Sequence, residues 1–501
     1  MNREIDHLDE PLLEFGYGQR LKDPKDGLFL FGPLEDRRPA EMRVGVIGTP
    51  KGIAVYREWL DRARAFIPLA DPEVKHRLAY PGFEAIFQTK WPTKPVAEIG
   101  VSGNEIFNAI RKTDRHKAIY DTVSLFSRPI IKKLTEDDVQ VDVWFVIIPD
   151  EVWRLGRPLS RPSKLEGLHD PNALGPKLGK RLLREPSLFA EDKLASEPYR
   201  YDVNFHHQLK ARLLVNKVVV QVVRESSFSS PTDDDAYGGR RGLQDPASLA
   251  WNLTTTAFFK AGGRPWKLAE VRPGVCYIGL VFKINTLDPT AGNACCGAQM
   301  FLDSGDGLVF KSTGSWYSQD RKEFNLTLEG ARELISRVVA AYTDLHEKPP
   351  LEIFVHGRKR FSFEEWCGFR EGAPASNVVC VRISRSQEMK LYRPTKTPIM
   401  RGSAYRLEQN RSLLWTAGYI PELATYPGRE VPNPLLIEIS RGDGDMNTVL
   451  HDVMGLTKVN FNACIFSDGL PVTLRFAEAV GEILTAAPHR DGPPLPFRHY
   501  I

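Results

Sequence analysis

The sequence predicts an α/β protein with two domains, and three observations support that fold class. Strand and helix patterns alternate through the first half of the 501-residue chain, which is typical of a parallel sheet covered by helices. Beyond about residue 270, several strands come first and a mixture of helices and strands follows. Apolar residues make up 42% of the chain, enough to bury a large core in each of two domains.

The first domain reads as strand–turn–helix units. A strand at 42–48 leads through the turn TPKG into a segment with apolar residues at helical spacing. Further strands are predicted at 96–102 and 139–149 from their β-branched and aromatic residues. Residues 155–200 show only a weak pattern, and residues 225–243 have the composition of a loop. Strands that alternate with helices in this way predict a Rossmann-like domain.

The second domain begins with a strand at 276–285 and a hairpin that turns at 304–307. The elements that follow are an amphipathic helix at 329–348, strands at 351–356, 378–384 and 435–440, and a last helix at 471–486. That order fits an RNase H-like domain. We therefore divide the chain into an extended arm at 1–40, a Rossmann-like domain at 41–270 and an RNase H-like domain at 271–501.

Composition narrows the function classes. The net charge of +4 permits nucleic-acid binding without requiring it. Six cysteines without a CxxC pair suggest neither a zinc site nor a disulfide framework. No apolar run approaches the roughly 18 residues of a membrane span, and the acidic start does not resemble a secretory signal, so we expect a cytoplasmic protein that does not contact membranes.

Two segments carry the residues with the clearest chemistry. His206 and Lys210 lie four residues apart on a predicted helix, so both side chains leave the same face. An anion bound between these two groups would replace their mutual repulsion with attraction to the anion. Phosphate is a common anion at sites of this kind. Gln221 follows on the next strand, and Lys260 ends a second helix before the stop AlaGlyGly. Each residue alone is more simply a surface lysine or a satisfied histidine, and only the combination predicts a phosphate pocket.

These four residues match, in order and spacing, the pocket that binds the guide 5′ phosphate in Argonaute MID domains. The phrase KAGGRPWKL followed by CYIGLVF resembles the junction of MID and PIWI domains, and the segment from LTK to RFAEAVG resembles the end of a PIWI domain. The resemblance covers about residues 40 to 501 and leaves no room for N-terminal and PAZ domains, as in short prokaryotic Argonautes. It implies a MID domain at 41–270 and a PIWI domain at 271–501. It also implies a Mg²⁺ ion that bridges the phosphate to Gln221 and to the carboxylate of Ile501.

Cutting of a target strand is not expected. Slicing by an RNase H-like domain requires several carboxylates that converge on two divalent ions. Where the family places them, this sequence has Val281 in the first strand and Arg358 after LEIFVH, and Asn460 and Asn462 are the nearest residues to the last position. The chain is thus predicted not to be an enzyme. A guide-dependent nuclease that uses other acids stays open as an alternative, as does a nucleic-acid scaffold without guide selectivity.

A guide–target duplex held by its shape needs positive charge along a groove. The candidates for contacts with the nucleic-acid backbone are Arg358, Arg360, Lys390, Arg393, Lys396 and Arg401. The resemblance further implies a guide RNA, a complementary single-stranded DNA target and a partner protein with an APAZ region fused to a TIR, Sir2 or nuclease effector. The two chains would form a heterodimer, which would assemble into a higher oligomer on activation. NAD⁺ depletion by the effector would then defend the cell against plasmids and phages.

Overall fold

The computed structural model describes residues 5–69, 71, 77–171, 173–185, 188–228, 245–284, 294–301, 307–312, 315–318, 323–426, 428, 430–488 and 494–501. The elements of the N-terminal arm are β1 (Ile5–His7), β2 (Leu13–Glu14), β3 (Arg20–Leu21) and α1 (Pro24–Phe31). The arm was predicted to be extended, and α1 is the exception. Asp23 caps this helix and Pro24 occupies its first turn, a position where proline loses no hydrogen bond.

The first domain contains four strands and ten helices within the described residues. They are β4 (Val44–Gly48), α2 (Pro50–Arg64), α3 (Phe83–Phe87), β5 (Ala97–Gly100), α4 (Gly103–Ile110), α5 (Arg115–Glu136), β6 (Val143–Ile148), α6 (Asp150–Leu155), α7 (Gly175–Arg184), α8 (Ala190–Ser196), α9 (Phe205–Leu214), β7 (Val220–Arg224), α10 (Glu225–Phe228) and α11 (Pro246–Lys260).

The four strands of the first domain form one parallel sheet in the order β5-β4-β6-β7. All residues of β4 and β6 are buried, as expected for central strands covered on both faces. The predicted strands and the helix after TPKG are confirmed. The segment 155–200 has more structure than its weak pattern indicated, because α7 and α8 form there. In the predicted loop 225–243, α10 occupies the first residues and the remainder lies outside the described part of the chain.

The second domain follows the short strand β8 (Lys267–Leu268). Its elements are β9 (Val275–Ile284), β10 (Ala294–Phe301), β11 (Gly307–Ser312), β12 (Ser315–Ser318), β13 (Glu323–Leu326), α12 (Leu328–His346), β14 (Glu352–Gly357), α13 (Phe363–Gly372), β15 (Asn377–Arg385), β16 (Ser403–Glu408), β17 (Arg411–Leu414), β18 (Leu435–Arg441), α14 (Met446–Leu456), α15 (Val472–Leu484) and β19 (Leu495–Pro496).

A ten-stranded sheet organises this domain, in the order β1-β16-β17-β18-β15-β14-β9-β10-β11-β19. Strands β9, β10 and β11 pair antiparallel, whereas β14 pairs parallel with both β9 and β15. The sheet thus combines an antiparallel meander, β9 to β11, with parallel strands β14 and β15 on the opposite side of β9. This is the RNase H-like arrangement that the order of elements predicted. The predicted hairpin is present as the β10–β11 pair, and most of its turn at 304–307 lies outside the described residues.

The arm connects the two domains. Strand β1 extends the edge of the large sheet by pairing with β16, and β2 pairs with β8 at the domain junction. Glu10 lies between the two, where its carboxylate contacts Arg401 at 2.8 Å and Lys458 at 2.8 Å. One apolar core also spans the junction, with Phe461 packed on Phe259 at 4.6 Å between ring centroids. Among the described residues, no helix is both long and apolar enough to cross a membrane.

Candidate functional site

Helix α9 presents the first two residues of the predicted pocket. Asn204 caps the helix by accepting a hydrogen bond from the backbone N–H of His207 at 3.2 Å, which fixes its first turn. Lys210 lies one turn after His206 and is 3% exposed, whereas the His206 ring is partly exposed. The Lys210 ammonium donates to the backbone carbonyl of Tyr500 at 3.2 Å. The helix therefore places an amine deep in the protein, beside the last residues of the chain.

Helix α11 brings Lys260 to the same place from the other side. Lys260 is 2% exposed, and its Nζ atom donates to the carbonyl of Val220 at 2.9 Å and to Oε1 of Gln221 at 2.7 Å. The chain leaves the helix through Gly262, whose φ of 99° lies in the region that favours glycine. A Cβ atom there would also approach the guanidinium of Arg498 to 2.7 Å. Glycine at this position thus lets the C-terminal segment pack beside the end of α11.

The C-terminal segment completes the site. His499 is hydrogen-bonded to the carbonyl of Lys217 at 3.2 Å and to that of Pro496 at 3.0 Å. Ile501 is 6% exposed and follows directly after Tyr500, the residue that accepts from Lys210. The structure therefore brings together all five residues predicted for the 5′-phosphate pocket, from four parts of the chain: α9, β7, α11 and the C-terminal segment.

The electrostatics of this cluster are unusual for a folded protein. Burial lowers the pKa of Lys210 from 10.5 to about 7. Burial and the charge of Lys210 hold the pKa of Lys260 well below its usual value. Burial, and then the neighbouring charges of Lys210, His207 and Lys260, hold the pKa of His206 well below 6.5. Within the part of the chain described, the contacts of the three bases include no carboxylate side chain. Such a group of bases favours an anion, which would let each of them hold its proton.

The Mg²⁺ ion that the resemblance implies stays a prediction, with Gln221 and the carboxylate of Ile501 as its expected ligands. In this structure the Oε1 atom of Gln221 accepts a hydrogen bond from Lys260. The amines of Lys210 and Lys260 can contact an anion directly, without a metal ion between them.

The six residues predicted to contact a nucleic-acid backbone fall into two groups. Five of them are exposed: Arg358, Arg360, Lys390, Arg393 and Lys396. Arg401 is different, since it is 4% exposed and its guanidinium contacts Glu10 and donates to Oγ1 of Thr457 at 2.8 Å. A guanidinium enclosed in this way cannot reach a phosphate, so Arg401 is left out of the candidate surface.

Four residues were predicted to stand where a slicing enzyme would have carboxylates. Val281 is buried in β9, and Arg358 follows the last residue of β14. Asn460 donates to Asp468 at 3.0 Å and accepts from the backbone N–H of Asn462 at 2.9 Å. Both asparagines thus belong to the loop that packs Phe461 at the domain junction. The hydrogen bonds of Asn460 go to residues of this same loop, and the sequence had not fixed the register of the two asparagines.

The element that faces β9 and β14 is instead helix α15, which carries two carboxylates one turn apart. Glu478 contacts Arg358 at 2.9 Å, and Glu482 contacts Lys283 of β9 at 3.2 Å. Gly279 makes this close packing possible, because a Cβ atom there would lie 1.8 Å from the carbonyl oxygen of Thr473. Sequence reasoning missed both glutamates. Their spacing of four on the last predicted helix was the available signal.

Comparison with known protein families and with curated proteins finds no match. Solved structures do match. The Clostridium butyricum Argonaute bound to a guide DNA and a 19-mer target DNA has a TM-score of 0.58 at 15% identity, over 97% of this chain and 54% of that one. Two more structures match at 13% identity. Aa-Ago with externally bound siRNA has a TM-score of 0.56 over 99% of this chain and 56% of that one. A. aeolicus Argonaute has a TM-score of 0.54 over 99% of this chain and 55% of that one. This chain spans about half the length of these neighbours. It therefore has the α/β MID–PIWI fold of Argonaute proteins.

Proposed function

We propose that this chain binds a guide strand by its 5′ phosphate and uses the guide to recognise a complementary strand without cutting it. The observation that carries the proposal is the cluster of His206, Lys210 and Lys260, two of them buried amines with lowered pKa values and no acidic side chain in contact. A terminal phosphate is a dianion that accepts several hydrogen bonds, and it suits a pocket that offers two amines, an imidazole and an amide. An internal phosphodiester has a single charge and would gain less from these bases than a terminal phosphate.

The proposal that the target is not cut rests on the residues around β9 and β14. Metal-assisted cleavage needs carboxylate oxygens that are available to two ions. Here the carboxylates of α15 pair with Lys283 and Arg358, which are cations at the very edge where ions would bind. A cation in that place repels a metal ion and attracts a phosphate group.

The finer proposals rest on the sequence resemblance to short prokaryotic Argonautes. They are that the guide is RNA, that the target is single-stranded DNA and that the bound duplex activates a separate APAZ-containing effector of TIR or Sir2 type. NAD⁺ depletion by that partner would then defend the cell against plasmids or phages. Purification of the chain together with its neighbouring gene product, followed by sequencing of the bound nucleic acid, tests these points.

The direct test of the pocket compares two oligonucleotides that differ only at the 5′ end. The wild-type chain is expected to bind the 5′-phosphorylated strand about tenfold or more tightly than the 5′-hydroxyl strand, because charge-assisted hydrogen bonds are lost with the phosphate. The double variant Lys210→Ala, Lys260→Ala should lose this preference. Lys348→Ala, which removes an exposed lysine of the PIWI domain, is the matched control. Equal binding of both strands by the wild type would favour a scaffold without guide selectivity.

The nuclease alternative has a separate test. The chain loaded with a guide is incubated with a labelled complementary strand and with Mg²⁺ or Mn²⁺. We expect the strand to stay intact. Cleavage at one fixed bond, at a distance counted from the guide 5′ end, would establish the alternative.

A further inference from the structure

The pocket lies next to a contact between the two domains that involves a second histidine. His207 follows His206 on α9, and its ring points away from the pocket bases toward acids. Its Nε2 atom lies 3.2 Å from Glu482 of α15, and its Nδ1 atom lies 3.5 Å from Asp202. Both rings therefore share one turn of one helix, with one facing amines and the other facing carboxylates.

Glu482 belongs to the PIWI domain and has two partners. Besides His207, it contacts Lys283 of β9 at 3.2 Å. The backbone supports the same junction, because the N–H of Asp202 donates to the carbonyl of Ala486, just past the end of α15, at 3.0 Å. A rotation or shift of α9 relative to α15 would thus have to break the His207–Glu482 contact.

The geometry points to His207 and Glu482 as a positioning pair that holds α9, and with it His206 and Lys210, in register for the guide 5′ phosphate. The inference rests on the proposed function and assigns to that site a residue from the PIWI domain. Neither side chain is expected to touch the phosphate. Both act by fixing the position of α9 and by the charges that they place beside it.

The charge balance supports this assignment. Burial opposes protonation of His207, but the hydrogen bonds to Asp202 and Glu482 outweigh it, so its pKa is raised. The hydrogen bond from His207, with help from Lys283, lowers the pKa of Glu482 to about 2. A protonated His207 adds a positive charge beside His206, Lys210 and Lys260, and Glu482 and Asp202 balance that charge from the side that faces away from them.

The test is a double-mutant cycle on the intact chain, read out as the ratio of the affinities for 5′-phosphorylated and 5′-hydroxyl strands. His207→Gln and Glu482→Gln should each lower this ratio about fivefold, and the double variant should lower it no further, because either change already breaks the contact. Since both strands are measured on one preparation, a partly unfolded fraction cancels from the ratio. Glu478→Gln is the matched control, since it removes a carboxylate of the same helix that pairs with Arg358 instead.

The dependence on pH supplies a readout that a merely structural role would not change. A bound phosphate raises the proton affinity of nearby bases, so wild-type binding weakens as pH rises from about 6.5 to 8.5. The slope should be shallower in His207→Gln, which has one titrating base fewer, whereas Glu478→Gln should keep the wild-type slope. Unchanged ratios in both glutamine variants, additive losses in the double variant, or an equal loss in Glu478→Gln would overturn the inference. If the wild type shows no preference for the 5′ phosphate, the proposed function fails together with it.

Discussion

The buried amines of the pocket make a quantitative prediction about stability. Without a bound anion, Lys210 has a pKa of about 7 in the folded chain and about 10.5 in the unfolded chain. Between these two values the unfolded state binds more protons than the folded state. The free energy of unfolding must therefore rise with pH across this window. For a lysine that is stabilised by an acidic partner, the free energy of unfolding would instead fall as pH rises.

The size of the effect follows from the two pKa values. From pH 7 to pH 8.5 the unfolded lysine stays protonated, while the folded lysine goes from half protonated to almost neutral. Integration over this interval gives a gain of about 1.6 kcal/mol from Lys210 alone. Lys260, whose pKa is also lowered by burial, adds to the gain in the same direction.

The assay is urea unfolding at several pH values, followed by tryptophan fluorescence, since Trp144 and Trp251 are buried in the first domain. Thiols of the unfolded chain also titrate near pH 8.5, so the contribution of Lys210 is read as the difference between the wild type and Lys210→Met. Lys210→Met should flatten the rise, and Lys348→Met should leave it unchanged. A saturating 5′-phosphorylated oligonucleotide should abolish the rise, because the phosphate lets the amines keep their protons. A wild-type stability that rises no more steeply than that of Lys210→Met between pH 7 and pH 8.5 would refute the reasoning.

Two other predictions concern the arm and the basic surface. Glu10→Gln should lower the free energy of unfolding by about 3–5 kcal/mol, because it leaves the buried cations of Arg401 and Lys458 without their acid, and urea unfolding measures this loss. The conservative control Glu14→Gln removes a carboxylate of the same arm that is paired with Lys267 and should cost less than about 1 kcal/mol. Reversal of the charges of three exposed cations should weaken binding of a guide–target duplex. It should also reduce the slope of log Kd against log salt by roughly two to three, because fewer phosphates are then neutralised. An unchanged slope would contradict this prediction. The three changes are Lys390→Glu, Arg393→Glu and Lys396→Glu.

Much of the fold was readable from the sequence because its signals are local. The strands β4 and β6 are dense runs of β-branched and aromatic residues, and α9 and α11 carry their own caps in Asn204 and Asp245. The proximity of His206 to Lys210 was also predictable, since their spacing places both on one face of one helix. The spacing did not predict that the amines are buried, because their burial depends on the C-terminal segment.

The errors have a common physical origin in contacts between distant parts of the chain. Arg401 reads as a surface cation in its own segment, yet its partner Glu10 is 391 residues away. The pairing of His207 with Glu482 is equally invisible to a local pattern. An ion pair of this kind depends on how two domains dock, and no periodicity within either segment records it.

Helix α15 shows how the carboxylates beside β9 and β14 are balanced by cations of the protein. Its first turn packs against β9 at Gly279 and is hydrogen-bonded through Thr473 to the buried His356 at 2.9 Å. Its last two turns present Glu478 and Glu482 to cations of the sheet and of α9. In an enzyme, carboxylates at this edge would repel one another and require metal ions to hold them together. Here Arg358, Lys283 and His207 supply the balancing charges, and through Glu482 the helix joins α9 to the sheet.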